Sequence, residues 1–104
     1  MVAWYTTETV AGKQISKHLG VATGSTIRAR NIGRDIVAGL RTLVGGEVPE
    51  YTEMMAHARN QAIERMLQKA DEMGADAVVS VRFSTAMIMQ GTAEVMAFGT
   101  AVKF

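Results

Sequence analysis

Apolar positions recur with a helical period in one stretch above all. Tyr51, Met55, Ala58, Ala62, Met66, Ala70 and Met73 are spaced by three and four residues. Ile63 and Leu67 form a second row that widens the stripe. The pattern predicts one long helix that touches more than one neighbour. Pro49 suits its first position, where a missing N–H is no loss. Gly74 supplies the left-handed residue that ends it. The β-branched Val78, Val79 and Val81 follow, so Asp76 to Ser84 reads as a strand.

The rest of the chain reads in the same way. Ala3 to Thr9 is a short β-prone run, stopped at Ala11-Gly12. Gln14 to Thr23 is a longer strand, with Ile15, Leu19 and Val21 on one face. Gln14, Ser16, His18, Gly20 and Ala22 lie on the other, and Gly24-Ser25 breaks the run. Asn31 to Val44 has a helical stripe of Ile32, Ile36, Leu40 and Leu43, with Asn31 as the N-cap. Gly39 inside it implies a close backbone neighbour, and Gly45-Gly46 ends it. Ala93 to Phe104 is a last strand, joined to the preceding one by a turn near Gln90-Gly91. Met96, Phe98, Val102 and Phe104 share its bulky face. Val95, Ala97, Gly99 and Ala101 share its small one.

Both faces of that strand are apolar, so both should be covered. The order strand-strand-helix-helix-strand-strand predicts an α+β fold, a mainly antiparallel sheet with two helices packed on one face. Its second face then needs another copy of the chain, which predicts a homo-oligomer.

Composition narrows the function classes. At 104 residues the chain is one domain spanning 1–104. Eleven Lys plus Arg stand against ten Asp plus Glu, a balance that argues against a nucleic-acid partner. The chain has no cysteine, so disulfides and thiolate metal sites are excluded. No apolar run approaches the ~20 residues of a membrane-crossing helix. A cytoplasmic location, away from membranes, is the expectation. Hydrophobic residues make up 48% but aromatics only 6%. The apolar mass is small and flexible, which favours close packing over a roomy pocket.

Candidate chemistry is sparse. His18 and His57 lie in no H-x-H, H-x₃-H or H-E-x-x-H spacing. His18, repeated around a symmetry axis, could hold a divalent metal. Met87 and Met89, with Met96 across a hairpin, offer thioethers to a soft metal such as Cu(I), although methionine also fills core gaps. Arg28, Arg30 and Arg34, with Arg41, cluster about the start of the first helix and could bind a small anion. Pairing with carboxylates is the simpler role for them. No nucleophile motif or catalytic triad spacing is present, so catalysis is not expected.

Several blocks together carry a family resemblance. Gly33-Arg34-Asp35-Ile36-Val37-Ala38-Gly39-Leu40-Arg41-Thr42-Leu43-Val44-Gly45-Gly46 resembles the R-D-x-x-A-G-[IL]-R-x-[IL]-V-G-G signature of the YbjQ-like family of small bacterial proteins. Gly20-Val21-Ala22-Thr23-Gly24 precedes it. Tyr51, Gly74-Ala75-Asp76-Ala77-Val78-Val79 and Gly99-Thr100-Ala101-Val102 follow in order. The resemblance implies an α+β fold assembling as a homopentameric ring. It implies no established function, although some members are labelled heavy-metal-binding. A strand cysteine of some members corresponds to Leu19 here.

Overall fold

The computed structural model describes residues 2–29, 49–89 and 91–104. They form strands β1 (Ala3–Trp4) and β2 (Lys17–Ala29), helix α1 (Pro49–Glu72), and strands β3 (Ala77–Met89) and β4 (Thr92–Lys103). The strands make one sheet in the order β1-β3-β4-β2. Helix α1 lies across β2 and β4 and reaches β3 only slightly.

The sheet is mixed. β1 runs parallel to β3, whereas β4 is antiparallel to both of its neighbours. The expected two helices on a mainly antiparallel sheet are therefore corrected. The fold is α+β, but the described residues hold a single helix on a mixed sheet. The cause lies in residues 5–16, which fold back instead of forming a hairpin between the first two strands. β1 thus docks on β3, at the opposite end of the sheet from β2. The second predicted helix, residues 31–44, falls outside the described residues, as do Gly45 and Gly46.

The long helix follows its sequence pattern closely. Ala58, Ala62, Met66 and Ala70 are fully buried, and Met55, Ile63, Leu67 and Met73 flank them. Its end is a Schellman motif. The Ala75 N–H donates to the Ala70 carbonyl at 3.0 Å and the Gly74 N–H to that of Asp71 at 3.0 Å. Gly74 has φ +82°, the left-handed conformation this cap requires.

Strand β2 differs most from its predicted form. It does not break at Gly24 but runs on to Ala29. Gly24 sits under the helix, where an added Cβ would lie 2.2 Å from the Met66 nitrogen and 2.4 Å from the Ala62 oxygen. Backbone meets backbone there, so glycine marks a close approach instead of a turn. The predicted faces of β2 are also corrected. A bulge between His18 and Gly20 shifts the register by one residue, which exchanges the faces beyond it. Leu19 packs towards the helix core, Ala22 is buried beneath α1, and Val21 is 65% exposed on the other face.

Strand β4 divides as expected. Val95, Ala97 and Ala101 are buried under the helix. Met96 and Phe98 are half-buried on the opposite face. Among the described residues that face is covered only at one end, where Tyr5, Val10 and Ile15 pack on Ala77, Val79 and Val102.

A second bulge, between Val79 and Arg82 of β3, turns on Ser80 at φ 55°. It lets two successive N–H groups reach the same edge: Ser80 donates to the Thr7 carbonyl at 2.9 Å and Val81 to that of Tyr5 at 3.0 Å. A left-handed non-glycine residue costs about 1–2 kcal/mol.

Two outcomes test this account. Gly24→Ala should lower unfolding free energy by about 3 kcal/mol or more in a denaturant titration, since the obstructing atoms are backbone. Ser80→Val should destabilise by about 1–2 kcal/mol, because a β-branched side chain tolerates positive φ poorly.

Candidate functional site

The three expected thioethers do not come together. Met87 pairs with Ala93, on the helix side of the sheet. Met96 lies between Ser25 and Ser84 on the opposite side. A register shift between Met87 and Met89 places Met89 against Thr92. The two methionines, which share a face in a regular strand, thus have partners on opposite faces.

Met87 has other neighbours. With Met54 and Met55 of α1 and Arg28 of β2 it lines an open groove of about 250 Å³. Met54 and Met55 were not foreseen as neighbours of Met87, because nothing in the pattern sets the helix start beside the β3–β4 hairpin.

The helix start expected after Arg28 lies outside the described residues. Arg28 lies near the end of β2 on the face that meets α1, with its Nη2 donating to Gln61 Oε1 at 2.9 Å. The same oxygen accepts from the buried Thr26 hydroxyl at 2.6 Å. Gln61 therefore pins the far end of β2 to the helix, while Arg28 Nε is buried without a partner. Arg30, Arg34 and Arg41 lie outside the described residues. The expected arginine cluster is represented by Arg28 alone, held structurally.

His57 is exposed on the outer side of α1, where it borders a shallow cleft with Glu53 and Glu64. Among the described residues no group of three His, Asp or Glu side chains converges to hold a metal ion.

His18 stands in β2, exposed, on the face away from the helix. It opposes Val102 and borders an open cleft of about 600 Å³. The other walls come from residues 8–15, from Ser80 of β3 and from Thr100 of β4. Sequence reading selected His18 from this cleft but missed Lys13 and Ser80. The signal for Ser80 is a bulge, which alternation alone does not reveal.

No described helix is long and apolar enough to cross a membrane.

Comparison with known proteins adds the family. A family model described as "Putative heavy-metal-binding", YbjQ_1, matches residues 2–104. A UPF0145 protein of Methanosarcina acetivorans is 59% identical over 98 residues, 94% of this chain and 92% of that protein. UPF0145 proteins of Psychromonas ingrahamii and Archaeoglobus fulgidus are 57% and 53% identical, each over 94% of this chain and over 93% and 91% of their own lengths. Archaeal members thus widen the bacterial family expected from the sequence. A crystal structure of a DUF74-family protein of unknown function from Pediococcus pentosaceus shares the fold, with a TM-score of 0.70 at 17% identity, covering 99% of this chain and 97% of the other. With a match running from residue 2 to residue 104 and relatives more than half identical, this chain belongs to the YbjQ_1 family of UPF0145 proteins.

Proposed function

We propose that the chain is a non-catalytic protein that assembles with copies of itself through the sheet face and edges that α1 leaves bare. The carrying observation is the uncovered apolar surface of long strands. Val21 and Ile27 are 65% and 59% exposed beside the half-buried Met96 and Phe98. Exposed apolar side chains recurring along one sheet face, interspersed with Thr23, Ser25 and Glu94, support an interaction surface there.

The edges support the same reading. Among the described residues β2 pairs only with β4, and β3 beyond its start pairs only with β4. Within the described residues the sheet therefore ends in two unlike open edges. Such edges invite a further strand. Joining β2 of one copy to β3 of the next is a heterologous contact, and one that closes gives a ring. A homopentamer is the ring the resemblance implies, within a cytoplasmic setting.

Native mass spectrometry at micromolar concentration should show a multiple of the 11.2 kDa chain. Ile27→Lys together with Val21→Lys should shift the protein towards the monomer, because two charges would enter a desolvated contact. A well-folded wild-type monomer under these conditions would sink the proposal.

A second reading rests on the groove bordered by Met54, Met55 and Met87. Three thioethers around one opening suit a soft monovalent cation such as Cu(I). The heavy-metal label of the family is compatible with it. In a titration against a competing chelator, one equivalent of Cu(I) should bind, and Met87→Leu should weaken it at least about tenfold, equal to 1.4 kcal/mol. Equal affinity in wild type and variant would remove this reading.

A further inference from the structure

The geometry points to a binding site for a small organic oxyanion bearing hydroxyl or amino groups, in the cleft between residues 8–15 and the sheet. It does not depend on self-assembly, because every group named here belongs to one chain.

The cleft is built, not left over. Residues 10–13 form a tight turn, closed by the Lys13 N–H donating to the Val10 carbonyl at 3.1 Å. Val10 and Ile15 anchor this segment on Val79 and Val102. The Ser16 N–H donates to the Lys103 carbonyl at 2.8 Å. The walls are thus fixed by the fold before any ligand arrives, as in most small-molecule sites. Ile15 and Val79 provide an apolar floor.

The rim is polar and uncommitted. Glu8, His18, Ser80 and Thr100 border the cleft. Among the described residues none of their side chains has a hydrogen-bond or ion-pair partner. Lys13 has its Nζ 5.8 Å from the centre of the Phe104 ring. That contact holds the ammonium in place through its charge while leaving its N–H donors free.

Ser80 reaches the cleft only through the bulge. In a regular strand the residue after Val79 would face the helix. Here Val81 takes that position in the core under α1, and Ser80 is released to the cleft side. Backbone strain in an unusual conformation often accompanies a functional position.

The donor set selects the ligand class. Lys13 and the imidazole of His18 offer cationic or donor groups to a carboxylate or phosphate. The hydroxyls of Ser80 and Thr100 donate to the same oxygens or accept from a ligand hydroxyl. Glu8 has no role towards a bare anion, but it accepts from a hydroxyl or ammonium on the rest of the molecule. The complementary ligand therefore carries both kinds of group, as hydroxy acids, amino acids and sugar phosphates do.

Thermal denaturation of the full chain with added probes tests the inference. The probes are malate, citrate, serine and glucose 6-phosphate, with inorganic phosphate, acetate and glucose as single-function controls. At least one of the first four should raise the melting temperature by several degrees in a saturable manner, well beyond every control. Lys13→Ala and Ser80→Gly should each abolish that rise. Ser80→Gly relieves the positive φ, so a lost response in that variant reports the missing hydroxyl and not a damaged fold. Circular dichroism checks the fold of both. No rise with any of the four would overturn the inference, as would controls that match them or a rise that persists in both variants.

Discussion

The contact between the backbone of α1 and the backbone of β2 at Gly24 is the constraint on which the rest of the structure depends. No Cβ fits between Gly24 and the Ala62 to Met66 turn. The helix therefore sits close to the sheet at this crossing, and small residues recur along the seam. Ala22, Ala97 and Ala101 line the sheet beneath it, and Ala58, Ala62 and Ala70 line the helix. Packed interiors leave no space for larger groups in such a seam. Beside Gly24, β2 and β4 turn their larger side chains the other way. Phe98, Met96, Val21 and Ile27 lie on the far face, whereas the near face also carries Val78, Val81 and Val95. A close helix contact on one side thus creates an apolar surface on the other.

Much of this was legible in the sequence. The stripe from Met55 to Met73 has a clean helical period, and the structure buries it. The Gly74 stop is unambiguous because few residues accept its backbone angle. The small and bulky faces of β4 followed from strict alternation. Gly24 was read as a break, since glycine ends strands as well as admitting close neighbours, and the pattern alone does not distinguish these. The bulges at Gly20 and Ser80 were invisible for a related reason. Alternation assigns faces correctly only while the register holds, and one inserted residue moved Val21 outward and Leu19 inward. Parallel pairing of β1 with β3 joins residues far apart in sequence, so no local pattern encodes it.

The candidate site was less legible than the fold. His18 was singled out because imidazole is a common ligand, not because its neighbours could be foreseen. Its cleft is assembled from the turn after Val10, the starts of β2 and β3 and the end of β4. Met87 was paired in sequence with Met89, yet its neighbours in space are on the helix. In both cases the chemistry of single residues was readable, whereas the company they keep depended on register. One extra residue in a strand decides which side chains meet.

The topology has a kinetic corollary. β3 and β4 are joined by a tight turn near Gly91 and pair along most of their length, so this hairpin can zip locally. β2 reaches its place beside β4 from a distant part of the chain, with Lys17 opposite Lys103. Closing so long a loop is slow relative to hairpin formation. The contact of β2 with α1 at Gly24 is made only once β2 lies beside β4. Assembly should therefore nucleate on the hairpin and finish when β2 adds to the edge of β4.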